Sequence, residues 1–82
     1  MIMPAKHINF SESLLGFGSY ILQNLSEPKS VDELWQKYQQ DLQNGFYFAK
    51  HSFDNLIMTI LFLYSVDAVK EVNAKVVKNE TH

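Results

Sequence analysis

The chain has 82 residues and a net charge of −2, from seven lysines, no arginine and nine acidic residues. A chain this short buries only about 60–65% of its unfolded surface, and a hydrophobic share of 46% that includes eleven aromatic residues is enough to fill one small core. The lack of cysteine excludes disulfides and thiolate chemistry. The lack of arginine removes the usual side chain for bidentate phosphate and guanine contacts.

Met1–Lys6 reads as a loose tail and His7–Phe10 as a short extended segment. Met1–Phe10 has no apolar stretch of signal-peptide length. The longest apolar run, Leu56–Tyr64, interrupted by Thr59, falls far short of the roughly 20 residues of a bilayer span. A soluble, cytoplasmic chain without membrane contact is expected. Ser11 or Ser13 can cap a first helix over roughly Glu12–Leu25, with Leu14, Leu15, Phe17, Gly18, Ile21, Leu22 and Leu25 facing inward. A glycine inside a helix costs about 1 kcal/mol against alanine. Gly18 falls on the buried arc, where it would let another backbone approach. Gly16 falls on the outer side, either as a weak spot or at an interface that needs close approach.

Pro28 ends that helix within the turn Ser26–Lys29. Ser30-Val31-Asp32-Glu33 is a capping box, its acids complementing the positive end of the helix dipole. A second helix runs to about Leu42 with Val31, Leu34, Trp35, Tyr38 and Leu42 in one stripe, and Asn44-Gly45 is suited to cap its end. Phe46-Tyr47-Phe48 reads as a short strand or a packed loop.

Ser52 caps a third helix, Phe53–Val66. At ~100° per residue, Phe53, Leu56, Ile57, Ile60, Leu61, Leu63 and Tyr64 form its inward arc. Asp54, Asn55, Met58, Thr59, Phe62 and Ser65 form the outer one. Past Asp67 the β-branched segments Ala68–Val72 and Lys75–Lys78 read as a hairpin turning at Asn73-Ala74, and Asn79–His82 as a frayed end. The whole is a single α+β, mostly helical domain over residues 1–82, a winged helix-turn-helix in which the hairpin is the wing.

Catalytic chemistry finds little purchase. His7, His51 and His82 have no partner at zinc-ligand spacing, and His51 with Asp54 makes a poor site. Asp32 and Glu33 are explained by capping. Gly16-Phe17-Gly18 lacks the rest of a phosphate loop, and no serine has a recognisable histidine partner. No enzyme, metal or cofactor is expected. Lys50, ahead of the third helix, and Lys70, Lys75 and Lys78 on the wing could contact phosphate weakly and without sequence preference, or simply solubilise the hairpin and guard its edge.

The outer arc of the third helix carries no base, although a DNA-reading helix usually needs one. Met58 and Phe62, one turn apart and rimmed by Asp54, Asn55 and Thr59, instead suggest a protein-binding face, extended by Tyr20. Extra core is the other reading. A homodimer through the same patch, and a DNA-binding regulator using the wing lysines, are the alternatives to an adaptor.

The runs KHINFSESLLGFGSYILQNLSEPKSVDELW and SFDNLIMTILFLYSVDAV resemble the middle component 6 family of bacterial ABC-three-component systems over about residues 6–72. Glu12-Ser13-Leu14-Leu15-Gly16 and Val31-Asp32-Glu33-Leu34-Trp35 are the most specific parts. The family's usual Gly-Leu turn into the wing is replaced here by Ser65-Val66-Asp67-Ala68. The resemblance implies a winged-helix protein beside an ABC-type ATPase, related to chromosome-organising and DNA-repair ATPases, and beside an effector protein. It also implies a role in defence against phage and other foreign DNA, and it supplies no catalytic residue.

Overall fold

The computed structural model describes residues 12–80. The expected tail Met1–Lys6, the extended segment His7–Phe10 and the end residues 81–82 lie outside them. Three helices, α1 (Leu14–Gln23), α2 (Val31–Gln43) and α3 (Phe53–Ser65), precede two strands, β1 (Val69–Val72) and β2 (Lys75–Lys78). The order is that of a winged helix-turn-helix, mostly helical with an antiparallel hairpin.

Each helix begins where a serine hydroxyl takes an otherwise unpaired amide. Ser13 accepts from Gly16 N at 2.9 Å, and Ser52 from Asn55 N at 3.1 Å. Ser30 and Glu33 form the full reciprocal box at 3.1 and 2.8 Å. That amide contact is the main reason the Glu33 carboxyl lies below its usual range. Helix α1 is shorter at both ends than its hydrophobic spacing suggests. Ser13 fixes the start, and the Asn24 side chain closes the end by donating to Tyr20 O at 2.9 Å.

Two helices end in the same way. Past α2, Gly45 adopts φ +80° while the Gly45 and Phe46 amides return to Leu42 O and Asp41 O. Past α3, Asp67 adopts φ +65°, with the Asp67 and Ala68 amides returning to Tyr64 O and Leu63 O. Both are Schellman closures. Asp67 stands where a glycine would be easiest, and it is held there. Asn79 donates from Nδ2 to both its carbonyl and its carboxylate at 3.1 Å. Asn79 is therefore anchored rather than frayed, and its own amide bonds Ala68 O.

The hairpin pairs Val69 with Lys78, Lys70 with Val77, Glu71 with Val76 and Val72 with Lys75. Asn73 and Ala74 both have positive φ, 56° and 65°, the type I′ geometry that matches strand twist. A bridge missed in the sequence joins the hairpin to the body. Lys29 and Val76 exchange two backbone hydrogen bonds, 3.1 and 2.7 Å, so the α1–α2 turn forms a third, one-residue strand.

The core gathers Phe17, Ile21, Leu25, Leu34, Tyr38, Leu56, Ile60, Leu63, Val69 and Val76, with Tyr47 and Ala49 from the α2–α3 loop. Gly18 lets α1 approach α3 closely: a Cβ there would lie 3.3 Å from Leu63 Cδ2 and 3.7 Å from Thr59 Cγ2. Several positions differ from the expected arcs. Gly16 is buried, whereas Leu14 and Leu15 are exposed, because α1 turns its Phe17–Gly18–Ile21 side inward. Phe46–Phe48 is neither strand nor wholly packed, since only Tyr47 points in.

In α3 the buried positions are Leu56, Thr59, Ile60 and Leu63, an i, i+3, i+4, i+7 set. Thr59 enters the core because its hydroxyl is satisfied locally, donating to Asn55 O at 2.6 Å. The arc rotates accordingly, leaving Leu61 and the edge of Phe53 in solvent.

Candidate functional site

With Thr59 inside, the solvent stripe of α3 runs through Asp54, Met58, Leu61 and Ser65, spaced by four, three and four residues. Met58 is 60% and Leu61 59% exposed. Leu14, at the start of α1, joins this surface: with Glu12, His51, Asn55, Met58 and Thr59 it lines an open hollow of about 250 Å³. Leu15, next in the chain, is also exposed. One turn further along α1, Gly18 lies against Leu63 and Thr59 of α3.

The residues expected at an interface divide. Asp54, Asn55 and Met58 face solvent. Asn55 Nδ2 also lies 3.3 Å from His51 Nδ1, and the His51 ring stacks on Phe17 with centroids 4.0 Å apart. His51 thus takes part in the packing under the hollow. Thr59 is a core residue at 1% exposure, not a contact residue. Phe62 is half-buried and packs against the core, so the apolar neighbour of Met58 in solvent is Leu61.

Tyr20 is half-buried. Its hydroxyl donates to Asp41 Oδ2 at 2.6 Å, and its ring lies in a cluster with Phe17, Tyr38 and Tyr47. Burial, then the Asp41 hydrogen bond and charge, push the Tyr20 phenol far above its ordinary value. Burial likewise raises Tyr47, up to about 12, and Tyr38, whose hydroxyl donates to Ala49 O at 2.7 Å while accepting from the His51 amide.

A second apolar feature lies on the α2–α3 loop. Phe46 is 75% and Phe48 80% exposed, on either side of the buried Tyr47. The sequence carried the signal, since three successive aromatics in an extended loop cannot all face one way.

Lys50, Lys70, Lys75 and Lys78 are all exposed, but the wing lysines do not share a face. By strand alternation and register, Lys70 and Lys75 lie with Val72 and Val77, while Lys78 lies with Val69, Glu71 and Val76. Lys75 also helps to hold the Glu33 carboxyl in its charged form, after the Ser30 amide. Among the described residues no three metal-ligating side chains come together, and no helix is long and apolar enough to cross a membrane.

The family model described as ABC-three component (ABC-3C) system Middle Component 6 matches residues 3–79. The chain belongs to this family. A middle component is by that description one part of a three-component system. No curated protein and no solved structure matches the chain.

Proposed function

We propose that this middle component is a non-catalytic, cytoplasmic adaptor that joins the ABC-type ATPase of its system to an effector, in defence against foreign DNA. The observation that carries the reading is the exposed pair Met58 and Leu61 on α3, continued by Leu14 on α1. An apolar centre with Asp54, Asn55 and Ser65 at its margin has the make-up of a docking surface, and methionine adapts to a partner's shape. Phe46 and Phe48 offer a second apolar attachment on another element, which suits a subunit with two neighbours.

The test is co-expression with the products of the neighbouring genes. Met58→Asp with Leu61→Asp removes two exposed anchors, each worth roughly 1–3 kcal/mol in a docking centre. Co-purification is expected to fall below detection while the circular dichroism spectrum stays unchanged. Recovery of the complex at native yield from the double variant overturns the reading.

A DNA-binding regulator is the second reading, favoured by Lys70 and Lys75 on one face of the wing. It requires retention of duplex DNA at ~50 mM salt that falls steeply as salt rises and is lost in Lys70→Ala with Lys75→Ala. The base-free side of α3 weighs against it.

A further inference from the structure

We propose that the α1–α3 face receives a basic amphipathic helix of a partner protein. The partner's apolar side would lie on Leu14, Met58 and Leu61, and its lysines or arginines against Glu12 and Asp54. The proposal rests on the docking reading above and adds the chemistry of the occupant.

The argument is one of charge. Helix α1 carries no charged residue, α3 carries only Asp54, and the turn entering α1 carries only Glu12. Glu12 lines the hollow beside Leu14 and Met58. Asp54 stands one turn before Met58 on the exposed stripe of α3. The hollow and the exposed stripe of α3 thus carry two carboxylates, and among the described residues neither is in an ion pair: the salt bridges there involve Glu27 and Asp41. Lys50 is exposed in the loop ahead of the α3 N-cap Ser52 but does not line the hollow. Docking an acidic or neutral segment here would leave two carboxylates losing water without compensation, whereas a basic one compensates them and is steered toward them.

The shape argues for a helix. Leu14 on α1 and Met58 on α3 line an open hollow, and Leu61 lies outside it, one turn further along the exposed stripe of α3. Such a groove takes apolar anchors at i, i+3 or i+4, and i+7. The flanking His51, Asn55 and Thr59 give the hollow a polar floor.

The test uses the full chain with methyl-labelled methionine and leucine, and two synthetic amphipathic peptides. Both have leucines at helical spacing; one carries lysines and the other glutamates at the remaining positions. The lysine peptide is expected to shift the Met58 and Leu61 methyl signals and to bind at least tenfold more tightly than the glutamate peptide. Glu12→Gln with Asp54→Asn should remove most of that preference, and Met58→Asp with Leu61→Asp should abolish binding. The neutral amides keep the helix starts intact, so loss of folding does not intrude.

Equal or stronger binding of the glutamate peptide overturns the basic partner. So do methyls that never respond, contacts from Met58 to residues 1–11 of its own chain, or a dimer that buries Leu61. If co-purification with the neighbouring gene products still depends on Met58 and Leu61 while the glutamate peptide wins, the docking reading stands and this refinement fails. If co-purification ignores both residues, both fail.

Discussion

Tyr20 donates its phenolic hydrogen to Asp41 across 2.6 Å, tying the middle of α1 to the last turn of α2. An acid near the C-terminus of a helix is opposed by the dipole, and Asp41 is 6% exposed. It is tolerated because Tyr20 holds one oxygen and Lys37 Nζ the other at 3.1 Å. Tyr20→Phe keeps the ring packing and removes one of these partners. A loss of roughly 1–3 kcal/mol is expected in urea unfolding, with Asp41→Asn together with Tyr20→Phe costing less than the sum of the single changes.

Alkaline pH should destabilise the fold through its tyrosines. All four, Tyr20, Tyr38, Tyr47 and Tyr64, have raised values with burial as the first cause. The unfolded chain ionises near the ordinary value of 10.0, while folded Tyr47 waits until about 12. The unfolded state thus releases protons first, and stability present below pH 10 is lost across the window up to about 12. Ultraviolet titration should show phenolate appearing late and together with loss of helix.

At Gly18, α1 lies close against α3. Gly18→Ala gains about 1 kcal/mol of helix propensity but sets a methyl 3.3 Å from the buried Leu63, so near-neutral stability is expected. Gly18→Val adds two more carbons and a stiff side chain. It should cost about 1–3 kcal/mol by overpacking, read as a lower thermal midpoint.

Ala74 carries a strain that its neighbour avoids. At φ +65° its Cβ crowds the backbone, where Asn73 is better suited and glycine has no such penalty. Ala74→Gly should raise stability by about 1 kcal/mol, measured by chemical unfolding, without altering the hairpin register.

Phe46 and Phe48 should behave as surface residues in isolation. Phe46→Ser with Phe48→Ser is expected to leave the unfolding free energy within about 0.5 kcal/mol and to improve solubility. Tyr47→Ser, between them, should cost about 3–5 kcal/mol because it empties the aromatic cluster.

Local chemistry made much of this fold legible. Serines at Ser13, Ser30 and Ser52 mark three helix starts, and Asn44-Gly45 and Asn73-Ala74 mark the turns. The stripe on α2 was readable because Gln and Lys fill its other side. In α3 apolar residues occur all round, so period alone could not tell Leu61 from a core position. What fixes the arc is nonlocal, the fit of Thr59 and Leu63 to Gly18. The same blindness hid the Lys29–Val76 bridge, which joins residues far apart in the chain and leaves no pattern in either segment.

That bridge gives the wing a mechanical character. Val76 is buried, faces Glu71 across the hairpin, and has both its amide and its carbonyl taken by Lys29 of the body, so the ribbon cannot swing without opening that clasp. A force applied at Asn73 would be delivered through β2 to the turn that launches α2, making the wing a lever with its fulcrum at Lys29 rather than a loose flap.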